Sequence, residues 1–256
     1  KQSLKEAKDK GYVESNPDLD IEGIDSAHKL SILASLAFSS KFVKFNNIYR
    51  EGISNVDTVD INFAKKLKYV IKLLSVVELY NNKLIQYVKP MMIDENSQLG
   101  QVNGVLNGIQ ITSEKSGKIF MEGNGAGGIA TANSIISDIG EICNNSSYSS
   151  MGINFDSLKI FNNLQLDDQN SSFYIRLIVR DKPGVLAGIT SLLKDNNISI
   201  ETMIQNPENS ILDSNHLPLM FVTHKTCLKN VNNCINKISK MKSVKDKPIV
   251  IQLYKV

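Results

Sequence analysis

The chain has 256 residues, of which 42 % are hydrophobic and 21 % charged, and its formal net charge is +3 at pH 7. This balance fits one large or two ordinary globular domains and excludes a disordered chain. The charge is too small and too evenly spread to argue for a nucleic-acid or membrane partner. In chain order, Ser3–Lys10 has helical spacing and stops at Gly11. A polar, acidic loop (ESNPDLDIEG) follows over Glu14–Gly23. Asp25–Phe38 then carries apolar residues at 27, 30, 32, 33 and 36, which predicts a helix buried on most sides with Asp25 at its N-cap. Val59–Leu67 reads as a helix with Asp60 near its start. Tyr69–Leu79, Leu84–Met92, Gln101–Thr112 and Lys118–Met121 read as strands, and Gly125 or Gly127 opens a helix that reaches about Ile142. Polar runs at Asn144–Met151 and Leu166–Ser172 mark a boundary, with a short helix or strand near Ile153–Phe161 between them. Beyond it come a strand at Phe173–Val179, a helix at Val185–Lys194 and strands at Ile198–Ile204 and Leu217–Val222. A helix at Leu228–Ile238 and a strand at Pro248–Leu253 close the chain.

That last order is βαββαβ, a split-βαβ, ferredoxin-like arrangement. The expected class is therefore α+β: a mixed-sheet domain over residues 1–150, a linker over 151–170 and the ferredoxin-like domain over 171–256. No apolar run reaches the length of a membrane span. No basic-then-apolar leader is present, and the opening at Lys1 rather than Met reads as that of a fragment. Three cysteines without a CxxC spacing argue against a disulfide framework or structural zinc and fit a reducing cytosol. Three scattered histidines give no support to a metal site.

Three constellations carry chemistry. Asp25 and Lys29 lie four apart and share a helix face. The plain reading is a capping carboxylate with a surface ion pair. The sharper one is a lysine partly desolvated in an apolar helix, its pKa lowered enough for acid–base work, beside acids at 14, 18, 20 and 22 that suit a cationic amino group. The run Gly123-Asn-Gly125-Ala-Gly127-Gly128 matches G-x-G-x-x-G, yet no full Val/Ile strand precedes it and NNSSYSSM follows where a second strand belongs. It reads better as a helix N-terminus whose amides approach a phosphate, an amide or another backbone. Asp181-Lys-Pro-Gly184-Val185 joins a strand to a helix and is either a good turn or a loop whose backbone binds a small ligand.

At these residues the chain resembles a known family. The run from Gly11 through Tyr12, Glu14, Pro17, Asp18, Asp20, Gly23, Asp25, His28 and Lys29 resembles the substrate-domain signature of homoserine dehydrogenases. Glu51-Gly52-Ile53, Ile71–Leu74 and Gly123–Gly127 followed by Thr131-Ala132 agree with it. The second domain resembles an ACT domain through Asp181-Lys-Pro-Gly-Val-Leu186, Ile198-Ser-Ile and Gln205.

The resemblance implies NAD(P)H-dependent reduction of aspartate semialdehyde to homoserine. It makes Lys29 the proton donor and Asp25 its positioner and a substrate ligand. Glu14 and Asp20 become further substrate-binding residues, and Gly11, Gly125 and Gly127 contact the cofactor. It also implies NADP or NAD bound mainly by a missing N-terminal domain, a homodimer or homotetramer, and threonine as effector at Asp181, Gly184, Val185 and Gln205. An amino-acid-binding regulatory protein without catalysis is the alternative.

Overall fold

A computed structural model describes residues 17–41, 45–144, 154–163, 166–205 and 215–254. The helix expected over Ser3–Lys10, and with it Gly11 and Glu14, lies outside the described residues. The described chain divides into two compact units: residues 1–54, 73–89 and 95–163 form the first, and 55–72, 90–94 and 164–256 the second. This division does not follow chain order, because two short segments from the first half of the sequence fold with the C-terminal part.

In the first unit, a short helix α1 (Asp18–Ile21) leads through Gly23 into α2 (Ile24–Phe38). Gly23, not Asp25, is the N-cap; it has φ +69° and its cap uses no side chain. A Cβ there would also come 2.9 Å from Val88 Cγ1, so both conformation and close packing require glycine. Asp25 sits in the first turn, where a carboxylate faces the positive end of the helix. The helix buries one face, not most sides: Ala27, Leu30, Ser31, Ala34 and Ser35 are buried, while Ile32, Leu33 and Leu36 are exposed. Ala27 and Leu30 pack with Ile48 and Val88.

Strands β1 (Tyr49–Arg50), β2 (Tyr69–Tyr80) and β3 (Lys83–Asp94) follow, separated by a helix α3 (Thr58–Lys66). Asn81 and Asn82, both at positive φ, close the β2–β3 hairpin, as tight hairpins of right-twisted strands require. β1 runs parallel to β3 with Tyr49 opposite Tyr87. Gln101 ends a one-turn helix α4 (Gln98–Gln101) capped by Ser97 rather than beginning a strand. An antiparallel hairpin β4 (Leu106–Ser113) and β5 (Gly117–Asn124) leads to α5 (Gly128–Asn144).

The second unit contains β7 (Asn170–Arg180), α6 (Val185–Asp195), β8 (Ile200–Gln205), β9 (His216–Thr223), α7 (Leu228–Ile238) and β11 (Ile249–Tyr254). Short strands β6 (Asn162–Asn163), in the first unit, and β10 (Thr226–Cys227) complete the numbering. The order β11-β7-β9-β8 is that of a ferredoxin-like sheet, with the first and third strands central. One face carries Phe173, Ile175, Leu177 and Val179 against α6 and α7.

The other face is covered by α3 and the start of β2: Tyr174, Met220, Val222, Ile251 and Leu253 meet Phe63 and Ala64, with Tyr69 and Ile71 alongside. Met91–Ile93 of β3 extend the edge beside β11. Within this apolar layer the Asp60 carboxylate is fully buried. It accepts Arg176 Nε at 2.7 Å, Arg176 Nη2 at 3.1 Å and Tyr174 Oη at 2.7 Å. It also accepts the Asp57 amide at 2.8 Å, one half of a capping box that starts α3. Burial, with the Asp60 carboxylate beside it, pushes the Tyr174 hydroxyl well above the usual tyrosine range.

Two expectations follow. Asp60→Asn should cost about 3–5 kcal/mol in urea titration, because Arg176 is left as a buried charge; replacing Asp60, Tyr174 and Arg176 together by apolar residues should cost far less. Lys89 is a second buried charge, 6 % exposed, with Nζ 4.7 Å from the Tyr87 ring centroid. Burial pulls its pKa from 10.5 down to about 8, against the attraction of Glu51. The unfolded chain therefore binds the extra proton between these values, so stability rises with pH across that window. Lys89→Met should add about 3 kcal/mol at pH 7, a gain that vanishes above pH 10.5.

Candidate functional site

Three of the sequence-derived features can be located, two in the first unit and one in the second. The first is the start of α2. Lys29 Nζ lies 2.6 Å from Asp25 Oδ2, as i, i+4 spacing dictates. The pair is open, with side chains 57 % and 37 % exposed for Lys29 and Asp25. The expected desolvation of Lys29 is therefore overturned: α2 buries the stripe through Ala27 and Leu30, and Lys29 stands off it. His28, next to Lys29, stacks on Phe45 with centroids 4.1 Å apart and planes 6° from parallel. The Arg50 guanidinium sits 4.0 Å from the same Phe45 centroid. This aromatic anchor was not visible in the sequence, because nothing local pairs residues 28, 45 and 50.

The acidic segment precedes α2, in α1. Asp20 is exposed at the end of that turn, and its carbonyl accepts the Gly23 amide. Glu22 Oε1 accepts Ser54 Oγ at 2.5 Å, and Ile21 O accepts the Ile53 amide at 3.0 Å. A Cβ on Gly52 would fall 2.6 Å from both Glu22 Oε2 and Ile21 O, so the Glu51-Gly52-Ile53 run is held against α1 as closely as backbone allows. The arrangement presents an exposed ammonium paired with a carboxylate, a few residues after the acidic α1 segment.

The second feature is the glycine run. Gly125 donates its amide to Val105 O at 2.8 Å, and a Cβ on it would overlap the Asn107 side chain. Its glycine is explained by packing. Gly127, at φ +115°, has open space where a Cβ would stand, as does Gly128. Asn124, Ala126, Gly127, Gly128, Ile129 and Asn133 line an open hollow at the start of α5. None of the residues of α5 is buried, and Ile129, Ile136 and Ile142 are exposed along it. The amides at the N-terminus of a seventeen-residue helix suit an anionic or amide group.

The third is in the second unit. Val179, Asp181, Val185, Leu186, Gln205 and Leu219 line a hollow of about 40 Å³, together with Arg180 and Lys182. Asp181, Val185 and Gln205 are thus brought together across 24 residues of chain. Gly184 does not line the hollow; at φ +88° it caps α6. Arg180 and Lys182 were missed, although their charges at the end of a strand were the available signal. Among the described residues no helix is long and apolar enough to cross a membrane, and no cluster could hold a metal ion.

Comparison with known proteins gives the family. The family model "Homoserine dehydrogenase" matches residues 1–139, and the family model "ACT domain" matches residues 173–240. A homoserine dehydrogenase of Helicobacter pylori is 38 % identical over 253 residues, which is 99 % of this chain and 59 % of that protein. One of Neisseria gonorrhoeae is 34 % identical over 97 % of this chain and 57 % of its own length. The crystal structure of a homoserine dehydrogenase from Thiobacillus denitrificans superposes with a TM-score of 0.84 at 33 % identity, covering 98 % of this chain and 57 % of that one. The chain thus spans somewhat over half the length of the relatives it matches.

Because the Asp25–Lys29 pair is exposed, Asp25→Ala should change the unfolding free energy by less than about 0.5 kcal/mol in urea titration. A loss several times larger would mean that the pair is structural.

Proposed function

The chain belongs to the homoserine dehydrogenase family, and from that premise we propose that it supplies the substrate-binding and regulatory parts of an enzyme reducing L-aspartate 4-semialdehyde to L-homoserine. The observation that carries the reading is the Asp25–Lys29 pair, 2.6 Å apart at the start of α2 behind an acidic segment. Reduction of an aldehyde builds negative charge on oxygen. The Lys29 ammonium offsets that charge and gives up its proton to the oxygen. Asp25 orients the ammonium and contacts substrate. Asp20, with Glu14, takes the substrate's amino group. Glu22 is engaged by Ser54 and fixes the segment instead.

A reduced nicotinamide, NADPH or NADH, supplies the hydride when bound. It is held mainly by the part of the enzyme that this chain does not span. Of the glycines assigned to it, Gly11, Gly125 and Gly127, the open space at Gly127 and the adjacent Gly128 supports a contact from this side, whereas Gly125 packs against Asn107. This chemistry belongs to amino-acid biosynthesis, and cysteines without a disulfide pattern support a cytoplasmic enzyme. The exposed apolar side chains of α2 and of the β4–β5 hairpin, among them Leu33, Ile111, Ile119 and Met121, support a homodimer or homotetramer.

The hollow at Asp181, Val185 and Gln205 favours a second role within the same protein, an amino-acid sensor with threonine as effector. Its walls offer a carboxylate for an ammonium, the Arg180 and Lys182 cations for a carboxylate, and an amide for a hydroxyl.

Lys29→Ala in the full-length enzyme should lower kcat at least a hundredfold with unchanged thermal unfolding; activity within tenfold of the parent would remove Lys29 from the chemistry. Calorimetry with L-threonine should give selective heat that Asp181→Ala abolishes. No selective heat for any amino acid would leave the ACT domain a structural element.

A further inference from the structure

We propose that Arg50 sets substrate specificity by taking the α-carboxylate of the amino-acid aldehyde; the proposal rests on the aspartate semialdehyde reading above. That substrate carries three groups: an aldehyde, an ammonium and a carboxylate. In the reading above Lys29 meets the first, and Asp20 with Glu14 the second. The third has no partner yet. Beside Asp18, Asp20, Glu22 and Asp25 a carboxylate is repelled unless a cation stands close to it.

Arg50 is placed for this within the first unit. Its guanidinium carbon lies 4.0 Å from the centroid of the Phe45 ring, and that ring stacks on His28 at 4.1 Å. The guanidinium is therefore no farther from the His28 ring than those two spacings together. Two residues after Arg50, a Cβ on Gly52 would fall 2.6 Å from both Glu22 Oε2 and Ile21 O. The Ile53 amide donates to Ile21 O at 3.0 Å. The chain around Arg50 is thus fixed at two points on the α1–α2 stretch: at His28 through Phe45, and at Ile21 and Glu22 through Gly52 and Ile53. Asp25 lies between those points in sequence, and Lys29 directly follows His28.

Arg50 is also available. It is exposed, and among the described residues it makes no ion pair or hydrogen bond. Its contact with Phe45 is made to the face of the ring and uses none of its five N–H donors. Two of those donors match the two oxygens of a carboxylate. A side chain already seated on an aromatic platform loses less rotamer freedom when the ligand arrives. The other cations near the stretch are engaged or enclosed: Lys29 is held by Asp25 at 2.6 Å, and Lys89 is 6 % exposed against the Tyr87 ring.

The test is steady-state reduction by the full-length enzyme of L-aspartate 4-semialdehyde and of 3-aminopropanal, the same molecule without its carboxylate. In the unaltered enzyme kcat/KM should favour the semialdehyde by about a hundredfold, since the smaller aldehyde leaves a guanidinium unpaired. Arg50→Ala should raise KM for the semialdehyde about tenfold or more with kcat within about threefold, and should leave kcat/KM for 3-aminopropanal within about twofold. Arg50→Lys should recover part of the loss, because the charge returns without the two-point geometry. Phe45→Leu keeps the charge and removes its platform; it should raise KM for the semialdehyde alone. An unchanged KM in Arg50→Ala overturns the assignment. Equal losses for both aldehydes also overturn it, because they mark Arg50 as a residue of the fold rather than of the carboxylate seat. If the unaltered enzyme reduces neither aldehyde, the aspartate semialdehyde reading itself fails, and the assignment with it.

Discussion

The Asp60 carboxylate has no access to water and is surrounded by Phe63, Tyr174, Met220 and the rest of an apolar layer. An ionised carboxylate in such a place is tolerable only when its lone pairs are occupied. Here Arg176 supplies two donors, Tyr174 one and the Asp57 amide one. The consequence is geometric more than energetic. Apolar side chains tolerate sliding; a bidentate guanidinium pair does not. The network fixes the rotation of α3 on the sheet and the register of a segment drawn from the first half of the sequence. It also decides that the ferredoxin-like sheet buries both faces, one under its own helices and one under α3.

The chemistry proposed for α2 depends on a different balance. The Asp25–Lys29 pair is solvated, so its attraction adds little to folding. An exposed ion pair is free to be used: it holds an ammonium in place without trapping it. Around it the chain spends glycine where backbones approach closely, at Gly23 over Val88 and at Gly52 over Ile21 and Glu22. His28, Phe45 and Arg50 make a local stack that steadies the helix start without enclosing Lys29. In the proposed mechanism Asp25 and Lys29 meet substrate from an open position.

What the sequence by itself determined is what depends on near neighbours. The helices at 24–38, 58–66, 185–195 and 228–238 announce themselves by apolar spacing, and the ferredoxin-like order by the alternation of strand and helix. The Asp25–Lys29 pair follows from helical pitch, and the family resemblance lies in residue identity alone. Local spacing also misled. It made α2 buried on most sides, because apolar residues at 32, 33 and 36 are counted alike whether or not anything covers them. It made Asp25 the cap, although the cap is Gly23, whose αL backbone and closeness to Val88 leave no room for a side chain.

Only the tertiary structure decided the long-range pairings: Asp60 with Tyr174 and Arg176 across more than a hundred residues, Ser54 with Glu22, and the hollow that gathers Asp181 and Gln205. An aspartate three residues into a helix reads as a capping-box residue, which Asp60 also is. Nothing in its vicinity says that its other oxygen is buried against an arginine. Periodicity reports how much of a segment can be hidden, whereas the partner that hides it is chosen by the fold as a whole, through satisfaction of buried polar groups that no local pattern encodes.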